Sequence, residues 1–367
     1  MKLRNILSKP LVMIPKAAIS ALCVAFILLA MPQAATGETN VNAPMGRTVV
    51  TAGGATFPLP FYTEAFKAYW QQHSVPVTYA GIGSSKGLES LRSLQTDFAG
   101  VDVPPTRQQL DSLPAQAVVV PMCMGAVEIA YNLDGVDNLR LTGELLADIY
   151  LGKLTRWNDP RIAAVNPGRQ LPDKEIYPIF RLDGSGTTYA FTHYLSRVSA
   201  AWKQAVGTGM SVKFPRGVAA SGTPGIATLI EKIPGAIGYA SSGYSIAYDL
   251  QRTELRNAAG NFVRPTAASI AAAAQGTSAT NDMLTGSRSP EAYPLSCLSW
   301  VMLYKEQDYA DRSRSEAEAT VRLLRWLLSP EAQSIAARLN YAPLPQEVAT
   351  QARKLLDGVT YKGKKIK

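Results

Sequence analysis

Residues 181–187 (RLDGSGT) contain the donors that a small anion needs. Gly184 and Gly186 permit backbone angles that residues with a Cβ avoid, so consecutive N–H groups can turn toward one point. Ser185 and Thr187 add two hydroxyl donors. This combination of glycines and hydroxyl residues indicates a loop that can hold an anion.

The same loop carries a guanidinium and a carboxylate. Arg181 can donate two hydrogen bonds to one phosphate or carboxylate group, and Asp183 could hold the guanidinium in place. The loop joins a strand-like run at 176–180 to a helix-like run at 188–198, so its N–H groups would lie at the positive end of a helix. Taken alone, the pattern is also typical of an ordinary glycine-rich turn with a helix cap.

Two strand, loop and helix units of the same kind occur earlier in the chain. The first starts with β-branched residues at 48–51 and leads through AGGATFPLP to a helical pattern, which places Thr56 and the backbone N–H of Phe57 at the start of that helix. The second starts with a strand candidate at 75–80 and continues through GIGSSKG, where Ser84 stands as Ser185 does in the later loop.

Asp102 follows a short predicted strand at 97–101. In open α/β sheets, ligands collect at the carboxyl ends of strands, so Asp102 is a candidate ligand-binding residue. The alternative role is to cap a helix that begins near residues 105–107.

The chain has 367 residues, of which 47% are hydrophobic and 18% charged, and this composition is typical of a folded protein with two domains. Residues 118–133 and 295–305 read as buried strands that enclose a long block with its own helices. We therefore predict an α/β fold with two lobes, two crossing strands and a ligand cleft between the lobes. Lobe I is expected at 47–121 and 298–362, and lobe II at 122–297.

The C-terminal part is predicted to be helical. Ser315 and Glu318 fit a capping box, and a helical apolar face follows at Ala317, Val321, Leu324 and Leu328. A further helix is expected to start at Ser329 and Pro330 and to end near Leu339.

Residues 1–36 are typical of a secretory signal peptide. Lys2, Arg4, Lys9 and Lys16 precede an apolar run at 17–30 and a small-residue segment, and the mature chain is expected to begin near residues 35–37. An uncleaved anchor is the alternative. The formal net charge of +9 includes those four basic residues, so the exported part is too weakly and diffusely basic to indicate nucleic-acid binding. The terminal KGKKIK is interpreted as a solvated tail.

Three cysteines occur in the chain. Cys23 lies in the signal peptide and would be lost on cleavage. Cys123 and Cys297 would remain in an oxidising compartment, where a disulfide between them is one possibility and two buried free thiols the other.

Six motifs in one order resemble the periplasmic phosphate-binding proteins of ABC phosphate importers: AGGATFPLPFY, GIGSSKG, FAGVDVPP, LGKLTRWNDP, RLDGSGTT and IPGAIGYA. The resemblance extends from about residue 49 to about residue 355. It implies a periplasmic-binding-protein fold of the type II kind, and it favours the anion site over the simple turn at 181–187.

In that family both lobes contribute donors to a dehydrated phosphate. The resemblance implies that the ligand-binding residues here are Thr56, Phe57 through its N–H, Ser84, Asp102, Arg181, Ser185, Gly186 and Thr187. Asp183 would orient Arg181. The position after the paired serines is often glycine in the family and is Lys86 here, which could add charge at the cleft mouth or point to water.

The resemblance also implies the partners. These are inorganic phosphate and the membrane permease of an ABC transporter, with no cofactor, metal or nucleic acid, and a monomeric protein in the periplasm is expected. An ionised Asp102 can only accept a hydrogen bond, so it would accept the proton that phosphate retains near neutral pH and repel sulfate, which has none.

The two alternative functions are an enzyme and a binding protein for a different ligand. An enzyme would need catalytic groups, but the chain has only two histidines, His73 and His193, and no Gly-x-Ser-x-Gly nucleophile motif at the loop. No catalytic residue is therefore predicted. The closer alternative is an exported binding protein for another oxyanion or a phosphorylated small molecule, used in sensing or surface attachment.

Overall fold

Short β-branched runs recur along the chain, and each is followed by a glycine-rich loop and a helical pattern. At each of these predicted units, the computed structural model forms a strand and a helix. The structure describes residues 48–275 and 283–367, so the predicted signal peptide lies outside the described residues. The strands are β1 (Val50–Gly54), β2 (Val77–Gly81), β3 (Phe98–Val101), β4 (Ala117–Tyr131), β5 (Arg140–Leu141), β6 (Tyr177–Arg181), β7 (Val218–Ala220), β8 (Ala236–Ser241), β9 (Gln251–Arg252), β10 (Glu254–Arg256), β11 (Phe262–Val263), β12 (Ser296–Tyr304), β13 (Thr360–Tyr361) and β14 (Lys364–Lys365).

The helices lie between these strands and after them. They are α1 (Leu59–His73), α2 (Ser84–Arg92), α3 (Arg107–Asp111), α4 (Gly143–Tyr150), α5 (Pro160–Ala164), α6 (Gly186–Val198), α7 (Ala200–Ala205), α8 (Gly222–Lys232), α9 (Ser242–Ala247), α10 (Ala267–Ala273), α11 (Arg314–Leu327), α12 (Pro330–Arg338) and α13 (Gln346–Asp357), with a short 3₁₀ helix at Leu284–Gly286. No helix of the described residues is both long enough and apolar enough to cross a membrane.

The main sheet has nine strands, in the order β2-β1-β3-β12-β4-β8-β6-β7, with β9 paired to β4. β1 pairs in parallel with β2 and β3, and β6 pairs in parallel with β7 and β8. Parallel strands end at the same edge of a sheet, so the loops after β1, β2 and β3 lie together, as do the loops after β6 and β7. The predicted mixed α/β class is confirmed.

β4 and β12 form the centre of the sheet. They pair antiparallel along the whole of β12, and β4 then continues at Val127 into pairing with β8. Both strands are almost entirely buried, which confirms the two buried strands predicted at 118–133 and 295–305. The lobe boundaries at 47–121, 298–362 and 122–297 stay a prediction.

Of the two possibilities for Cys123 and Cys297, the disulfide is wrong and the pair of buried free thiols is confirmed. The register places Cys123 opposite Ser299 and Cys297 opposite Gly125, so the two cysteines are diagonal neighbours. Diagonal Cα atoms lie about 7–8 Å apart, beyond the usual span of a disulfide.

Two glycines, Gly54 and Gly100, face each other at the ends of β1 and β3. Gly54 has a φ of +138°, and a Cβ there would lie 2.2 Å from the Gly100 carbonyl oxygen. The Ala55 N–H donates to the same Gly100 carbonyl at 2.8 Å. This contact fixes the start of the loop that carries Thr56.

The C-terminal helices α11 and α12 begin and end close to the predicted positions, but the capping box of α11 differs from the predicted one. The capping box of α11 is Ser313 with Glu316, two residues before the predicted Ser315 and Glu318. Both pairs have the Ser-x-x-Glu spacing of a capping box, and the helix uses the first of them. The lysines of KGKKIK are exposed, as interpreted, but the segment is not a free tail, since β13 and β14 form a hairpin and buried Ile366 follows it.

Candidate anion-binding site

The loops from both halves of the sheet meet at one place. The Ser85 N–H after β2 donates to the Gly184 carbonyl after β6 at 3.4 Å. A Cβ at Gly186 would lie 2.5 Å from Asp102 Cβ, so the start of α6 contacts the end of β3. The structure thus brings together the residues predicted from four separate motifs, and the side chains among them are buried: Thr56, Ser84, Asp102, Arg181, Ser185 and Thr187.

Arg181 is held by the carboxylate predicted to orient it. Its Nε donates to Asp183 Oδ1 at 2.8 Å, and its Nη2 donates to Asp183 Oδ2. Asp183 Oδ1 also accepts a 2.9 Å hydrogen bond from the Gly222 N–H. Burial alone would raise the pKa of Asp183, but the hydrogen bond and charge of Arg181 hold it below its ordinary value. Asp183 therefore fixes the guanidinium in a buried position.

Asp102 lies at the end of β3, and its side chain is buried. Ser299 of β12 donates to its Oδ1 at 2.9 Å, while its own N–H donates to Ser84 Oγ at 3.4 Å. Thr106 caps α3, so the alternative role of Asp102 as a helix cap is wrong. Burial raises the pKa of Asp102 to about 7, although the Ser299 hydrogen bond and the charge of Arg181 lower it.

This raised pKa gives a prediction for the ligand-free protein. The pKa of Asp102 is raised from 3.8 to about 7 on folding, so the folded state binds more protons between these values and becomes less stable as pH rises through that range. Asp102→Asn removes the titrating group. The unfolding free energy of Asp102→Asn, relative to that of the wild type, should increase by at most about 4 kcal/mol between pH 4 and pH 8. Denaturant titration at each pH measures this difference. A difference that does not change with pH would contradict the buried, titrating carboxyl.

The start of α6 supplies donors from the loop after β6. Ser185 is the N-cap, and its Oγ accepts from the Thr188 N–H at 3.3 Å, which leaves the hydroxyl hydrogen available. The first N–H groups of a helix have no acceptor within it. Thr187 Oγ1 is buried and has no hydrogen-bond partner among the described residues. A buried polar atom without a partner indicates that something else completes its hydrogen bond.

Phe57 is held in place by Tyr341. The Tyr341 hydroxyl donates to the Phe57 carbonyl at 2.6 Å, and the two rings pack edge to face at 5.8 Å. The Phe57 side chain is fully buried, so its contribution to an anion would come through the backbone. Lys86 is exposed, which agrees with a side chain that points to water.

Three residues that the sequence analysis did not single out contact the predicted set. Thr223 contacts Arg181 and Thr56, Ser299 donates to Asp102, and the Tyr239 hydroxyl accepts from the Arg181 N–H at 3.0 Å. Thr223 had a sequence signal, because it follows Ser221 and Gly222 at the start of a helix, as in the other loops. Ser299 and Tyr239 lie inside buried strands and have no local signal.

The arrangement can hold a small tetrahedral anion without its water. The loops offer several donors and one fixed guanidinium, while Asp102 is an acceptor when ionised and a donor when protonated. Within residues 48–275 and 283–367, no group of three or more His, Cys, Asp or Glu side chains is arranged to hold a metal ion.

Comparisons with known proteins identify the family of the chain. A family model described as a PBP superfamily domain matches residues 33–331. The chain is 36% identical over 327 residues to the phosphate-binding protein PstS of Xylella fastidiosa (strain Temecula1), which covers 87% of this chain and 88% of that protein.

Two solved structures share the fold. One is a high affinity periplasmic phosphate-binding protein (PfluDING) bound with phosphate, with a TM-score of 0.64 at 19% identity over 83% of this chain and 93% of that one. The other is an ABC-type phosphate transport receptor from Vibrio cholerae, with a TM-score of 0.51 at 20% identity over 81% of this chain and 100% of that one. The family model and the relative each match most of the chain, and the chain therefore belongs to the PBP superfamily and, within it, to the family of the PstS phosphate-binding proteins.

Proposed function

We propose that this chain binds inorganic phosphate among the loops that follow β1, β2, β3 and β6, and delivers it to the membrane permease of an ABC importer. The ligand-binding residues would be Thr56, Phe57, Ser84, Asp102, Arg181, Ser185, Gly186 and Thr187, with Asp183 orienting Arg181. The observation that carries the proposal is the buried Arg181, paired with Asp183 beside the start of α6, where Thr187 Oγ1 has no partner among the described residues.

The energetics support a fully enclosed anion. Taking a phosphate out of water costs several kcal/mol or more, which only a nearly complete set of donors can offset. Hydrogen bonds to charged groups contribute about 1.5–3 kcal/mol each, and a helix N-terminus about 0.3–1 kcal/mol. Donors from the loops after β1, β2 and β6, which include one guanidinium, are sufficient on this scale.

The site opens and closes by a hinge at the crossing strands β4 and β12, in this proposal. Lobe I would comprise 47–121 and 298–362, and lobe II 122–297. The exported protein would act as a monomer in the periplasm after loss of the signal peptide at 1–36. It would not be an enzyme. The energy for transport would come from the permease.

Close contact at Gly186 gives a prediction for closure. A Cβ there would lie 2.5 Å from Asp102 Cβ and 2.9 Å from Asp102 Cα, so Gly186→Ala should hold the loops apart. We expect phosphate affinity to fall about a hundredfold, while the helix itself is not weakened because alanine favours helix over glycine. Equilibrium dialysis with labelled phosphate measures the loss. Gly225→Ala in α8 is the matched control, since its nearest atom would be 3.4 Å away, and it should bind as the wild type does. Equal binding by both variants would contradict a closed site at Gly186.

Phosphate import is tested by uptake. In a strain that lacks the gene for this chain, labelled phosphate uptake should fall and should return when the wild-type gene is restored, but not when an Arg181→Ala gene is restored. Normal uptake in the deletion strain would instead favour a role in sensing or surface attachment. Competition by phosphate monoesters in the dialysis assay tests whether a phosphorylated small molecule is the ligand.

A further inference from the structure

Thr223 is a fully buried threonine that contacts both sides of the proposed site. It is the second residue of α8, and its Oγ1 lies 3.1 Å from Arg181 Nη1 and 2.8 Å from Thr56 Oγ1. Arg181 ends β6 and Thr56 follows β1, and these strands lie in opposite halves of the sheet. Thr223 therefore joins a loop from one half of the sheet to a loop from the other half.

The chemistry of these groups favours one direction for the hydrogen bonds. A guanidinium has only donors, so Arg181 donates to Thr223 Oγ1. The positive charge turns the Thr223 hydroxyl hydrogen away, toward Thr56 Oγ1, and the Thr223 N–H donates to the same oxygen at 3.4 Å. Thr56 Oγ1 then has two donors on its lone pairs, which leaves its own hydrogen available to an anion.

We propose that Thr223 is a positioning residue that couples closure of the site to phosphate binding. This inference rests on the proposed function, since it assigns a further residue to the same site. The charge of Arg181 polarises the Thr223 hydroxyl, which in turn polarises the Thr56 hydroxyl toward phosphate. The relay exists only when the loops after β1 and β7 are in contact, so it stabilises the closed, phosphate-bound state over the open one.

Removing the Thr223 hydroxyl breaks the relay at its centre. Arg181 Nη1 loses a buried acceptor and Thr56 Oγ1 loses a buried donor, and buried groups without partners are costly. Thr223→Val keeps the shape of the side chain and removes only the hydroxyl chemistry. Thr223→Ser keeps the hydroxyl and removes the methyl group.

The test measures inorganic phosphate affinity and release rate on the signal-less protein, by calorimetry and stopped-flow fluorescence. Thr223→Val should weaken affinity about 10- to 100-fold, mostly through faster release, whereas Thr223→Ser should stay within about threefold of the wild type. In a Thr56→Val background, Thr223→Val should add little further loss, because the relay is already broken. Thr350→Val, at an exposed position of α13, is the surface control and should change neither quantity.

Three results would overturn the relay while wild-type binding is intact. They are an unchanged release rate in Thr223→Val, a Thr223→Ser variant as weak as Thr223→Val, and losses for Thr56→Val and Thr223→Val that simply add. A wild-type protein that binds no phosphate would overturn the proposed function itself, and the relay with it, so the two failures are distinguished.

Discussion

Replacing Arg181 with alanine should weaken phosphate binding at least about a thousandfold. Arg181 is the only buried guanidinium among the described residues of the proposed site, and its loss leaves the half-buried Asp183 carboxylate without its cation, next to an anion. Removing one partner of a buried, hydrogen-bonded charge pair costs about 3–5 kcal/mol, and each 1.4 kcal/mol is a tenfold change in affinity. Calorimetric titration with phosphate measures the loss.

Two further variants show whether this loss is specific. Arg181→Lys keeps the charge but not the planar fork that contacts Asp183 and Thr223, so it should recover only part of the affinity. Arg216→Ala removes an arginine that pairs with Glu175 near the surface, and it should bind phosphate as the wild type does. If folded Arg181→Ala protein bound phosphate normally, the proposed site would be wrong.

Replacing Asp102 with asparagine should narrow the gap between phosphate and sulfate affinity about a hundredfold or more. Ionised Asp102 can only accept, so sulfate would meet a buried, repelling carboxylate, whereas phosphate can donate its proton. Asparagine offers an N–H donor to sulfate as well as an acceptor to phosphate. Removal of a penalty of about 3 kcal/mol corresponds to that hundredfold change.

The titration of Asp102 also predicts how sulfate affinity changes with pH. With the pKa of Asp102 at about 7, the wild-type group is ionised at pH 8.5 and protonated at pH 5.5, where it can donate to sulfate. Sulfate should therefore bind more weakly to the wild type at pH 8.5 than at pH 5.5, while its affinity for Asp102→Asn should change little. Asp111→Asn, a carboxylate on the surface of α3, is the control and should keep the wild-type ratio. An unchanged phosphate to sulfate ratio in Asp102→Asn would remove Asp102 from this role.

Local patterns in the sequence were sufficient to predict the loops. Each of the loops with Thr56, Ser84 and Arg181 follows a short strand and opens a helix, and that pattern depends only on neighbouring residues. Thr223 carried a similar signal in the run from Ser221 to Gly225, but nothing in the sequence said that this loop would reach Thr56.

Contacts between distant parts of the chain could not be predicted. Ser299 meets Asp102 because β12 lies between β3 and β4, and that order depends on the whole sheet. The distance between Cys123 and Cys297 could not be predicted for the same reason, since it depends on the register between β4 and β12. The sequence also did not decide between two overlapping capping boxes, because Ser313 with Glu316 and Ser315 with Glu318 have the same spacing.

The most direct test of the central claim is calorimetric titration of the signal-less protein with phosphate, and in parallel with sulfate. The protein is first partly unfolded and dialysed to remove any ligand that copurified. We expect tight binding of one phosphate per chain and no heat from sulfate at pH 8.5. Binding of neither anion would contradict the proposed phosphate site, and equal binding of both would mean that Asp102 does not face the anion.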